Sequence, residues 1–252
     1  METLTALLPE GFGALLFAGV LVASFLGSFI TVAFGIGGGA FLLAVLASLM
    51  PPAALIPVHG VVQFGSNAGR FAMLWRQTAW TALPGFTLGS LIGAGLGGLV
   101  VVDLPPEAVQ IGVGLFIIWS VLSKPPEWLK RWPWLTGGIS SFLTMFFGAT
   151  GVFVANYTKS LKLPRHAHVA THAALMTVQH LLKVLVFGLL GFAFGDWAAV
   201  IVGMIVAGLA GTWTGKLALN RITDMNFRRA LDAVLLLIAL RLVWQGLRDL
   251  WG

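Results

Sequence analysis

Residues 34–39 read Phe34-Gly35-Ile36-Gly37-Gly38-Gly39, four glycines in five positions within an otherwise unbroken apolar stretch. A stable helix does not run through such a cluster, because each glycine costs about 1 kcal/mol against alanine in a helix interior. In lipid, a broken helix leaves backbone N–H and C=O groups without partners. The break must therefore be buried in protein or face a water-filled cavity. A second cluster, Phe147-Gly148-Ala149-Thr150-Gly151, follows 113 residues later.

The surrounding composition sets the class. Of 252 residues, 58% are hydrophobic and 10% charged, with a mean hydropathy of +0.93. No soluble domain of that size has enough interior to hide so much apolar surface, so the chain reads as an all-α polytopic membrane protein. There is no cysteine, which excludes disulfides and thiol chemistry. The net charge of +6 would point to nucleic acid in a soluble protein, but Lys and Arg lie largely in short connections between apolar runs. A positive-inside bias accounts for them, and no nucleic-acid partner is expected. Glu2 and Glu10, with no Lys or Arg, precede the first apolar run. Without a basic n-region, the first segment is expected to stay as a helix.

Five apolar elements are expected near 12–33, 38–50, 53–74, 79–101 and 107–122, and five more near 134–147, 151–161, 167–190, 197–219 and 229–248. This gives a single transmembrane domain over 1–252, with repeat 1 at about 12–122, repeat 2 at about 134–248 and an inner basic linker at 123–133. The second element of each half spans only about half to two-thirds of a ~30 Å hydrocarbon core. An ungapped offset of 113 aligns Ser28 with Ser141, Thr31 with Thr144, Phe34 with Phe147, Gly38 with Gly151, Pro51 with Pro164 and His59 with His172. It also aligns Ala94-Gly95-Leu96-Gly97-Gly98 with Ala207-Gly208-Leu209-Ala210-Gly211. Glycine matches are cheap in such a composition, but His on His and Pro on Pro are not.

Five elements per repeat is an odd number, so the two halves are expected to be inverted. Charge tests this independently. With both termini outside, the inner connections hold Arg76, Lys124, Lys130, Arg131, Lys159, Lys162, Arg165, Lys216, Arg221, Arg228 and Arg229, and the outer ones Asp103, Glu107 and Asp196. That segregation fits a long-plus-short pair returning to its starting side, whether the short element crosses fully or meets its partner midway.

The chemistry should lie at the breaks and beside them. Short helices starting after Gly35, Gly37, Gly38 and Gly39, and after Gly148, Thr150 and Gly151, would aim two N-termini at one anion from opposite directions. The competing reading is that the glycines only permit close helix packing, and for 94–98 and its copy that reading is preferred. His59, Gln63, Ser66, Asn67 and Arg70 share a helical face; in the second half it reads His172, Met176, Gln179, His180 and Lys183. Ionisable residues inside a membrane are functional candidates by default. Arg70 and Lys183 would flank the anion from opposite ends, unless both snorkel to the interface. His59, His172 and His180 are candidate proton carriers, since histidine titrates near neutral pH. His166, His168 and His172 do not make a convincing metal site, with no Cys and only Asp232 clearly within an apolar run, four positions from Arg228. Nucleophile–base, Walker A and zinc-protease strings are absent, so neither catalysis nor a cofactor is expected.

The glycine break after the first helix, the short helix ending at Pro51, and the copy running from Phe147 to Pro164 together resemble the TauE/SafE family of membrane transporters. The resemblance covers nearly the whole chain. It implies a plasma-membrane secondary transporter, read as an exporter, for small sulfur-containing anions such as sulfite, sulfoacetate, other organosulfonates or thiosulfate. Substrate, direction and coupling ion are not fixed by the resemblance, and a homo-oligomer is compatible with it. The alternatives are a transporter of a metal cation or neutral osmolyte, or a non-transporting sensor or structural subunit.

Overall fold

The computed structural model describes residues 8–34, 37–101, 105–218 and 225–251. Among the described residues it is helical, with no strand: α1 (Ala14–Phe34), α2 (Gly38–Leu49), α3 (Pro52–Leu74), α4 (Leu83–Val101), α5 (Pro106–Leu122), α6 (Pro133–Phe147), α7 (Gly151–Ser160), α8 (Arg165–Leu189), α9 (Ala198–Ala218) and α10 (Met225–Trp251). These are the expected elements, with ends shifted by a few residues. Proline opens α3, α5 and α6, where its missing N–H would have had no helical acceptor. Single 3-10 turns precede α4 and α9 at Trp80–Ala82 and Phe194–Trp197.

Among the described residues, five helical stretches are long and apolar enough to cross a membrane: Ala14–Phe34, Trp80–Val101, Arg165–Leu189, Phe194–Leu217 and Arg229–Trp251. The 23-residue α3 is as long, but its polar row lowers its hydropathy. Leu99, Leu189 and Leu237 point outward from the bundle, as lipid-facing side chains must. Trp75, Trp80, Trp128, Trp132, Trp134 and Trp251 are exposed at helix ends and connections, positions that suit a membrane–water interface. In the linker, the hydrogen bond from Lys130 holds the Glu127 carboxyl below its ordinary range.

The packing joins the halves to each other. The dominant contacts are α1 with α9, α4 with α6, α5 with α10, and α3 with α8 at the centre. Exchanging the first five helices with the last five leaves this set of contacts unchanged. Glycine makes the crossings close. Gly89 and Gly93 of α4 lie against the backbone of Trp134 and Gly138, and Gly211 of α9 lies against the backbone of Phe25. Gly97 meets Met145, Gly98 meets Val186, and Gly208 faces Ser24, Ser28 and Ser66, so these glycines of 94–98 and its copy pack helices, whereas Gly95 has open space before it. Ser24 Oγ donates to the Met204 carbonyl at 2.6 Å across the α1–α9 crossing. The short helices α2 and α7 are enclosed by the long ones, with Leu43, Leu46 and Val154 fully buried.

Candidate functional site

Both short helices start at a glycine break. Gly37 has φ +104° immediately before α2, and Gly148 has φ +71° three residues before α7. Left-handed backbone of this kind costs an L-residue roughly 1–2 kcal/mol, which is why glycine stands at these two positions. The N-termini of α2 and α7 reach one cavity of about 50 Å³. Its wall includes Gly37 and Gly39 from the first break and Gly148 and Gly151 from the second. Gln63 and Asn67 of α3 and His172 and His180 of α8 add polar side chains, while Thr31, Ala40, Ala149, Val152 and Met176 complete it. No Asp or Glu lines the cavity among the described residues.

Other expected site residues stand one layer back, each for an identifiable reason. His59 Nε2 lies 3.2 Å from the Gly39 carbonyl, bracing the first break from behind. Arg70 donates from Nη1 to Asn67 Oδ1 at 3.0 Å, and Asn67 donates to the Gln63 carbonyl at 2.8 Å. Thr150 accepts a 2.5 Å hydrogen bond from Gln179 Nε2, and Ser140 Oγ donates to Gln179 Oε1 at 3.2 Å. Gly38 faces away, against the backbone of Gly27, so packing describes it better than ligand contact. Gly35 lies outside the described residues. The Arg228 side chain does as well, so its expected pairing with Asp232 is not described.

Neither cation snorkels. Arg70 is 3% exposed and Lys183 0%. Arg70 of α3 lies within electrostatic range of His172 on α8, and Lys183 of α8 within range of His59 on α3 and of His180 on its own helix. The Lys183 stem fits against Gly60, where an added Cβ would come within 2.8 Å of Lys183 Cε. Gly60 and Arg70 are ten positions apart on α3, about 15 Å along the helix. The cations therefore flank the cavity at opposite ends. Lys183 Nζ, Arg70 Nε, His172 Nε2 and both ring nitrogens of His180 are buried with no hydrogen-bond partner among the described residues. The rings of His59 and His180 meet edge-on at 6.0 Å. His166 is exposed and His168 half-buried, and no group of three metal-ligating side chains occurs among the described residues.

A vestibule of about 440 Å³ meets the central cavity at Gly37, Ala40 and Val152. Ser123, Lys124, Asn156, Lys159 and Asp232 line it, at the end of the bundle that carries the basic connections.

Cavity residues that the sequence reading passed over are small or apolar, except Thr31. Its alignment with Thr144 was the available signal: the Thr31 hydroxyl donates to the Gly27 carbonyl at 2.9 Å, and that of Thr144 to the Gly148 carbonyl at 3.0 Å.

Membrane-length helices packed around two broken ones, with an acid-free polar cavity where the breaks meet, are the architecture of a polytopic membrane transporter. Within that class, the chain belongs to the sulfite exporter TauE/SafE family, whose family model matches residues 20–242. No curated protein and no solved structure matches the chain.

Proposed function

We propose that the chain is a secondary transporter that exports small sulfur-containing oxyanions, such as sulfite, sulfoacetate, other organosulfonates or thiosulfate, across the plasma membrane. Its halves, 12–122 and 134–248, act as inverted repeats with both termini outside and the 123–133 linker inside. The observation that carries this reading is the meeting of both glycine breaks at one cavity that, among the described residues, has no carboxylate in its wall and leaves ring nitrogens of His172 and His180 unpartnered.

Two helix N-termini offer N–H groups and positive dipole ends to an anion, and the wall holds no charge that would repel it. Arg70, acting through Asn67, and Lys183, beside His180, add positive potential from opposite flanks. A buried charge is screened far less than an exposed one, so a cation one layer back still acts on the cavity. A cavity of about 50 Å³ is several times the roughly 10–15 Å³ that admits a single water, which leaves room for a sulfite or sulfonate head. A longer organosulfonate would extend its tail toward the vestibule. His59, His172 and His180 are the candidate carriers of a coupled proton.

Reconstitution in proteoliposomes tests the reading. Labelled sulfite, sulfoacetate or thiosulfate should show saturable flux, and nickel should show none. Arg70→Gln and Lys183→Gln should each lower that flux by about tenfold or more, the effect of about 1.4 kcal/mol at the site; unchanged flux would remove these cations from the mechanism. A pH gradient should drive accumulation, with the drive weakened in His172→Gln. Indifference to the gradient would end the proton-coupled reading.

A further inference from the structure

We propose that Leu43 and Ile56 form the gate that shuts the central cavity from the side opposite the basic connections, and that the apolar cavity beyond them is the second mouth of the transport path. The proposal rests on the transport reading above but not on the identity of the solute.

The bundle holds a third cavity, of about 310 Å³, bounded by the first turn of α3, the ends of α4, α6 and α8, and the start of α5. It lies at the end whose connections carry Glu107 and Asp196, opposite the vestibule with Lys124 and Lys159. The vestibule and the central cavity share three wall residues, whereas the third cavity and the central cavity share none. What separates the latter two is one layer of side chains. Ile56 lines the third cavity and Gly148 the central one, yet the two residues are in contact. A Cβ added to Gly148 would lie 2.9 Å from Leu43 Cδ1 and 3.2 Å from Ile56 Cδ1. Leu43 is 0% exposed and Ile56 4%. A dry apolar layer stops an anion because passage would strip its hydration without replacing it.

The same layer is placed where it can move. Pro57 follows Ile56 and cannot donate the helical hydrogen bond to the Ala53 carbonyl, which loosens the first turn of α3. Leu43 sits on α2, a helix of only 12 residues with a break before it and Pro51 after it. The repeat supplies a further argument. At the offset of 113, Leu43 corresponds to Asn156, which lines the open vestibule. One position is thus apolar and closed in the first half, polar and open in the second.

The cysteine-free chain makes a direct test practical. Ala149→Cys puts a single thiol in the wall of the central cavity. In sealed vesicles, a membrane-impermeant cationic methanethiosulfonate reagent is added to one face at a time. Labelling should be at least tenfold faster from the basic-loop face than from the opposite face. Adding Leu43→Ala or Ile56→Ala should raise labelling from the opposite face by tenfold or more, while Ile56→Leu, which keeps the volume, should not. Unchanged basic-face labelling verifies that each variant is folded; if one is lost, the other carries the comparison. Equal rates from both faces in the Ala149→Cys protein, or no acceleration in a folded alanine variant, would overturn the gate. The two readings fail separately: if excess sulfoacetate, which unlike sulfite does not attack the reagent, fails to slow labelling of Ala149→Cys, the anion reading fails while the gate stands.

Discussion

The two breaks hold the same kind of backbone in different ways. At the first, α2 begins directly after a left-handed Gly37, and Gly38 packs on the backbone of Gly27 so closely that no side chain fits between them. At the second, the left-handed residue lies three positions before the helix, and hydroxyls and an amide take up the slack. Thr144 bonds the Gly148 carbonyl, and Gln179 links Thr150 to Ser140. The repeat offset aligns Gly27 with Ser140 and Gly37 with Thr150. What the first half does by bringing backbones together, with His59 alone on the Gly39 carbonyl among the described side chains, the second does with several polar side chains. A broken helix in a bundle therefore needs its freed backbone organised, and bare contact or a hydrogen-bonded network will serve.

The largest effect should come from disturbing the contact-held break. Gly38→Ala drives a methyl into the Gly27 backbone, which cannot yield as a flexible side chain would. The expected loss is about 3 kcal/mol or more, the upper end for overpacking, seen as a lowered melting temperature or loss of a monodisperse protein in detergent. Near-normal stability would show that α1 and α2 are not held by that crossing. Gln179→Leu comes next: it removes the amide that bonds the buried Thr150 hydroxyl and leaves Ser140 Oγ only its 3.4 Å bond to the Gly137 carbonyl, at about 1–3 kcal/mol. The smallest effect should follow Thr144→Val, which removes one hydroxyl bond to Gly148 and costs about 1 kcal/mol. If Gln179→Leu costs no more than Thr144→Val in thermal unfolding, the network is not what organises the second break.

Much of the fold was legible because glycine and proline punctuate it. Pro51, Pro105 and Pro164 sit where helices start, and both glycine clusters interrupt helices as their conformational cost requires. The partners of each helix were not legible. Nothing in the pattern of α1 names α9, because that match depends on the shapes of two small-residue faces far apart in sequence. The site was legible in direction but not in depth. A helical face shows that Asn67 and Arg70 point the same way; it does not show that Asn67 reaches the cavity and Arg70 is held behind it. The same distinction separates His180, which lines the wall, from Lys183 one turn further on. Val152 and Met176 have no chemistry that a sequence could flag, and the gate pair Leu43 and Ile56 look like any other core residues until the cavities are seen.

The cross-half pairing also bears on how the protein is made. The face of α1 that carries Ser24, Phe25 and Ser28 packs against α9, whose Met204 accepts from Ser24 across 180 positions of chain. At roughly 5–20 residues per second of synthesis, α1 waits about ten to forty seconds in the bilayer with the Ser24 hydroxyl and the Phe25 backbone not yet covered by α9. During that interval a newly inserted first half is a sticky intermediate. Its natural substitute partner is the second half of another nascent chain, which presents the same complementary faces. Co-expressing the halves as separate polypeptides would exploit the same chemistry, letting two incomplete chains find in each other the groove that a single ribosome supplies late.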